Sequence, residues 1–222
     1  GELAQVFVGG AETQGITADN HRQVLASIRL GLTELHKRFL LKEGTVIIDP
    51  VAGQQTYVLN SRYAESNSTS LETNKYIKDS NDPYQDDLLK IERVYDQNGC
   101  ELPLNDLDNE DAIRTPSYSV LALPDKHEWT RLKVIYRADH PPIDEDMYPI
   151  SQVEIQLPMS HLEPLLLYVA SRILNPVGMV SEFHEGNNYA AKYEHAVQRL
   201  MMNNYRIDTV SSNTRLERGG WV

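Results

Sequence analysis

The chain has 222 residues with 32 acidic against 21 basic side chains, a formal charge of −11, and a 41% hydrophobic fraction typical of a globular protein. Such an acidic balance argues against wrapping nucleic acid or docking on an anionic membrane, because phosphate binding needs clustered cations. A single cysteine, Cys100, excludes an intramolecular disulfide and a thiolate zinc cluster. No apolar run approaches the length of a membrane span, and the first ten residues lack signal-peptide character, so a soluble protein made in the cytoplasm is expected.

Residues 1–16 read as a flexible N-terminus. The first strong periodicity covers 18–41, where Val24, Ile28, Leu32, Leu35 and Phe39 recur at helical spacing and Leu25 and Leu40 widen the stripe. Thr17 is the expected N-cap, and Gly44 lies just past the expected end of a helical unit over 17–44.

The period then changes. Residues 45–49 and 56–59 are short and β-branched around a turn-rich stretch, which predicts a hairpin directly after the helix. Further strands are expected at 88–95, 118–123, 132–136 and 153–157, all within a β region over 45–157. Asn98-Gly99 is a tight-turn pair that returns the chain toward 100–104. Between 60 and 87 the sequence turns polar, with scattered Tyr63, Tyr76 and Tyr84, and reads as a mobile surface insertion or a projection ordered by a neighbouring subunit.

A second helical block fills 158–205. Ser160 and Glu163 have capping-box spacing, and Leu162, Leu165, Leu166, Val169, Ala170 and Ile173 make an apolar face that ends at Asn175-Pro176-Val177-Gly178. A third helix carries Phe183, Ala190, Tyr193, Val197, Leu200 and Asn204 on one stripe. The expected fold is α+β: an amphipathic helical bundle of one N-terminal and two C-terminal helices sharing a core with an inserted antiparallel β region.

Candidate chemistry is sparse. The seven histidines do not form the two-histidine zinc pattern, and the acidic stretches at 106–111 and 144–146 lack the glycine and closing glutamate of a calcium loop. No nucleophile elbow, P-loop or dinucleotide fingerprint occurs. No enzymatic activity, metal or cofactor is therefore expected. The last stretch, RIDTVSSNTRLERGGWV over 206–222, has too few apolar residues for a core of its own, yet it carries Arg206, Arg215, Leu216, Arg218, Trp221 and Val222. Arginine and tryptophan are enriched among interface anchors, so an extended tail ordered by a partner is expected.

The segments ELHKRFLLKEGTVIIDPVAGQQTYVL, RLKVIYRADHPPI, VEIQLPMSHLEPLLLYVASRILNP and NNYAAKYEHAVQRL, in that order, resemble the head-to-tail adaptor (connector, or head completion) proteins of short-tailed bacteriophages. The resemblance spans about residues 17–205 and lies in segment order and apolar pattern. It implies a structural virion protein at the head–tail junction, forming a homo-oligomeric, dodecameric ring beneath the portal protein. It also implies that the C-terminal residues named above dock on the portal. The β region, through Tyr63, Tyr76 and Tyr84, would then face the tail nozzle protein or tail fibres, with DNA passing through the channel without specific binding. An alternative is a receptor- or glycan-binding tail module on a helical stalk, with Tyr57, Tyr63, Tyr76, Tyr84 and Trp129 lining its site. A third is a hydrolase with an unrecognised acidic pair.

Overall fold

The computed structural model describes residues 21–144, 146, 152–174 and 180–203, over 180–185 as backbone alone. Among the described residues, three α-helices and two antiparallel sheets form a mixed α+β fold. Helix α1 (His21–Arg38) buries Val24, Leu25, Ile28, Leu32 and Leu35, with Phe39 just beyond its end, which is the stripe read from the sequence. The expected cap Thr17 lies outside the described residues. Gly44 does not terminate this helix. It sits in strand β1 (Glu43–Ile48), where a Cβ would overlap the ring of Tyr136 on the neighbouring strand.

The first sheet has the order β1-β7-β3-β4, with β3 at Leu88–Tyr95, β4 at Glu101–Leu102 and β7 at Leu132–Ala138. The second has the order β2-β6-β5, with β2 at Thr56–Val58, β5 at Arg114–Ser117 and β6 at Val120–Ala122. Pro116 is tolerated because β5 is an edge strand, where a missing N–H leaves no ladder bond broken. The hairpin expected after α1 does not form. β1 pairs with β7 and β2 with β6, so the turn at 49–55 carries the chain from one sheet to the other. The buried Tyr57 hydroxyl holds that turn, accepting from the Val51 N–H at 2.8 Å and donating to the Gln54 carbonyl at 2.8 Å.

The Asn98-Gly99 turn does join β3 to β4, with Gly99 at φ +81° and the Asp96 carboxylate accepting from the Asn98 and Cys100 amides. Along β3 the buried residues are Leu88, Ile91 and Val94, a spacing of three rather than two. Two register shifts against β7, between Leu88 and Lys90 and between Ile91 and Arg93, account for it. Each bulge adds one unpaired residue, so the inward face advances by three.

The polar stretch 60–87 is held by its own chain. Ile77 bridges to both Ile48 and Ala64, the Lys78 N–H donates to the Ile47 carbonyl at 2.8 Å, and Tyr76, Ile77 and Tyr84 are buried. Its organising group is Asp79, whose carboxylate accepts from the Ser66 N–H at 2.9 Å, the Ser66 hydroxyl at 2.5 Å and the Tyr84 N–H at 2.9 Å. Burial alone would raise the Asp79 pKa, but these bonds to the charged form outweigh it and the pKa lies below the usual carboxylate value.

Helices α2 (Leu162–Ile173) and α3 (Val180–Met202) pack with α1 around Leu165, Tyr168, Val169, Tyr193, Val197 and Leu200. The capping box does not form. A short 3-10 helix (Met159–His161) leads into α2, the cap residue His161 makes no side-chain capping bond, and Glu163 instead pairs with Arg199 of α3 at 2.7 Å. Gly31 lets α1 and α2 approach closely, since a Cβ there would lie 2.8 Å from both Leu165 and Tyr168. Ala190 is exposed, while Gly186 and Ala196 face inward with Tyr193 and Val197. The stop at 175–178, together with the Phe183 side chain, Asn204 and the whole tail, lies outside the described residues.

Residues 153–157 do not pair as a strand. They alternate as one, with Val153, Ile155 and Leu157 turned toward the helical cluster. The expected shared core is therefore two cores. One apolar cluster lies between the sheets and the 60–87 segment, and a separate one lies among the helices, Ile143 and the 153–157 segment.

Candidate functional site

Two apolar clusters in one chain must be joined, and the join is polar. α1 ends against the outer face of β7, whose inner face (Leu132, Val134, Tyr136, Ala138) belongs to the β core. On the outer face sits Arg137. Its guanidinium meets the Glu92 carboxylate at 2.8 and 3.0 Å and donates to the Lys37 carbonyl, in the last turn of α1, at 2.7 Å. Both side chains are deeply buried, 6% and 2% exposed. Glu92 reaches this face because it is the residue skipped by the second bulge of β3. Arg137 thus does two jobs: it neutralises a buried carboxylate, and it caps the carbonyl end of a helix, where a cation is favoured by the dipole.

Around this pair the joint is densely bonded. The Thr33 hydroxyl donates to Asp139 at 2.8 Å, and the His36 imidazole bonds through Nδ1 to the Ala138 carbonyl at 3.0 Å. Lys42 pairs with Asp87 at 2.6 Å, and Asp87 also accepts from the Tyr136 hydroxyl at 2.8 Å. That hydroxyl's pKa is raised, by burial first and by its bond to Asp87 second.

Three histidines close the joint. His36 lies edge-on to His140, ring centres 5.8 Å apart, and His161 lies edge-on to Phe39 at 4.6 Å. His140 bonds through Nδ1 to the Pro141 carbonyl at 2.7 Å and accepts from the Gln156 N–H through Nε2 at 3.2 Å. Among the described residues, the buried Nε2 atoms of His36 and His161 have no hydrogen-bond partner. No group of three or more ligating side chains among the described residues could hold a metal ion.

A second feature opens on the helical layer. A cleft of about 480 Å³ lies between α1, α2 and α3, lined by Arg38, Glu34, Tyr168, Arg172, Tyr193 and Glu194 among others. Arg38 grips Glu194 with two bonds of 2.7 and 2.8 Å and stacks 5.3 Å above the Tyr193 ring. The bond to Glu194 raises the Arg38 pKa, and the same bond lowers that of Glu194. Tyr193 is 4% exposed, its hydroxyl has no hydrogen-bond partner among the described residues, and burial pushes its pKa up to about 12.

The residues expected to act from the sequence are scattered. Arg206, Arg215, Leu216, Arg218, Trp221 and Val222 lie outside the described residues. Tyr76 and Tyr84 are core residues, with Tyr76 stacked on Tyr63 and bonded to the Val58 backbone, so they present little surface to a partner. Tyr63 is only partly buried. Tyr57 is buried as well, which removes three of the five aromatics of the expected glycan site. Trp129 stacks on His127 beside a separate open cleft. Sequence reasoning missed Arg137, Glu92 and the histidine cluster. The one available signal was an Arg and a His inside and just after a strand otherwise bound for the core.

No family model matches this chain, and no curated protein matches it. No helix among the described residues is long and apolar enough to cross a membrane.

Proposed function

We propose that this chain is a structural adaptor that couples two larger assemblies, and more specifically the head-to-tail adaptor subunit of a short-tailed bacteriophage. The observation that carries the adaptor reading is the joint between the two cores. A helical layer and a β module each have a folded interior, and a buried ion pair that also caps α1 fixes one against the other. A subunit that transmits position between two partners needs separate binding bodies and a stiff connection. Directional, charge-assisted bonds supply such stiffness better than apolar contact alone.

The phage assignment rests on the order of sequence segments described above. In this reading a dodecameric ring sits below the portal, its helices surround the channel as a bundle, and the β module faces the nozzle or fibres. The tail over 206–222 reaches the portal through Arg206, Arg215, Leu216, Arg218, Trp221 and Val222. The net charge of −11 suits a channel through which DNA slides, because few cations are present to hold phosphate. A head-to-tail interface that closes on itself is an ordinary route to such a ring.

Native mass spectrometry of the chain with and without a purified portal ring tests this. The expected result is a ring of this chain on the portal that is lost when residues 206–222 are removed. Normal portal binding by the truncated chain refutes the tail's role, and no association by the full chain refutes the phage reading.

A further inference from the structure

The histidines at the joint are placed where a charge cannot be accommodated, and they come from three separate segments. His36 belongs to α1, His140 follows β7, and His161 lies in the 3-10 helix that starts α2. His36 is 2% exposed and His161 3%. In His36, Nδ1 faces the Ala138 carbonyl and so carries the proton, which leaves Nε2 as a buried lone pair. In His140 the same tautomer is set by the Pro141 carbonyl on one side and the Gln156 N–H on the other. Protonating either ring adds an N–H donor, in His36 facing no acceptor and in His140 facing another donor. A buried donor without an acceptor is costly, and a buried cation more so.

Among the described residues, the groups that could offset a new charge are already committed. From the β7 side, Asp139 accepts from the Thr33 hydroxyl with one oxygen and from the His140 N–H with the other. Glu92 is bound to Arg137 and Lys90, and Asp87 to Lys42 and Tyr136. The remaining neighbours work against protonation or are neutral. Lys42 and Arg137 are cations, Ser160 bonds to His161 at 3.1 Å, and Phe39 covers the His161 ring. The three imidazoles also repel one another once charged.

We propose that this histidine cluster is a pH-sensitive latch between the helical layer and the β module, closed when the three rings are neutral and loosened when they take up protons. The proposal does not depend on the phage reading.

The direction of the linkage follows from the burial. All three pKa values lie below the ordinary histidine value of 6.5, with burial the largest cause in each; Asp139 opposes the shift in His36 and His140, and Lys42 reinforces it. An opened joint therefore takes up protons as pH falls through 6.5 while the closed joint still resists. Closure is fully favoured above that value and is lost below it. Each histidine whose protonation the closed joint resists shifts the closed-to-open ratio toward open by up to about tenfold per pH unit below 6.5.

The test uses the full chain with ring-labelled histidine and backbone amide exchange, corrected for the intrinsic pH dependence of exchange, at roughly pH 7.5 and pH 5.5. His36 and His161 are expected to titrate below the ordinary histidine value of 6.5. Amides of α1 near His36, of Ala138 to His140 and of residues 153–161 are expected to lose about tenfold or more of their protection at the lower pH. Amides of Val94 and Val134 in the β core should keep theirs. The variant His36→Asn with His161→Phe keeps the bond to Ala138 and the ring against Phe39 but cannot be protonated, and it should lose most of the pH response. Titration of His36 and His161 at or above the ordinary histidine value, a uniform loss of protection across both cores, or a folded double variant with an unchanged pH response would each overturn the proposal. Should the double variant fail to fold, the titration and exchange of the native chain decide.

Discussion

Replacing Glu92 with alanine leaves the Arg137 guanidinium buried without that carboxylate, while its bond to the Lys37 carbonyl remains. Removing one member of a buried pair costs about 3–5 kcal/mol, because the surviving charge keeps its desolvation penalty and loses the attraction that offset it. The surviving helix-cap bond places Glu92→Ala toward the lower end, about 3 kcal/mol, or a drop of roughly two orders of magnitude in the folded ratio. For a chain of this size that corresponds to a melting temperature lowered by about 6–12 °C. Removing both charges with Glu92→Leu and Arg137→Met should recover much of the loss, since an apolar pair of similar volume needs no compensation. The assay is urea unfolding followed by far-UV circular dichroism, with Arg131→Ala as a control. Arg131 pairs with Asp49 at 2.8 Å but is 57% exposed, and its loss should cost no more than about 1 kcal/mol. A Glu92→Ala cost no larger than that of Arg131→Ala, or a double variant as unstable as the single, would refute the view that the joint is held by a buried charge pair.

Four further outcomes follow from the geometry. Asp79→Ala should release the 60–87 segment, leaving the Ser66 and Tyr84 amides without their acceptor at a cost of about 1–3 kcal/mol, visible as local loss of amide protection and new protease sites. Because the Asp79 pKa is depressed, its contribution should be fully present above about pH 4 and be lost as pH falls through the folded value, giving the native chain an acid-dependent loosening that Asp79→Ala lacks. Gly44→Ala drives a methyl into Tyr136, whose hydroxyl is anchored on Asp87, and should cost about 1–3 kcal/mol in thermal unfolding. Leu165→Ala in the helical cluster should cost about 2–5 kcal/mol while leaving amide protection in the β core unchanged, if the two clusters are separate.

Local chemistry was legible where one segment decides its own state. The α1 stripe, the β3 and β7 segments and the Asn98-Gly99 turn follow from periodicity and from the need of one residue for positive φ. The resemblance to phage adaptors likewise came from segment order, and it stands as a proposal. The three-residue inward spacing along β3 was not legible, since its two bulges are set by the partner strand. The capping-box spacing of Ser160 and Glu163 misled for a similar reason: Arg199, thirty-six residues away, competes successfully for Glu163.

What the amino-acid sequence determined by itself is an acidic chain with one long amphipathic helix, a β-rich middle and two more helices, because burial of a periodic face is a property of a few consecutive residues. What only the tertiary structure decided is how these parts are joined. Strand partners, the bond from Asp79 to Ser66, and the meeting of Arg137 with Glu92 and Lys37 link residues 13 to 100 positions apart. A buried polar group is stable only beside its partner, and no local pattern announces a partner that distant. The segment that reads as the loosest, 60–87, is pinned for that reason, and the joint between the two cores became visible only once the chain was folded.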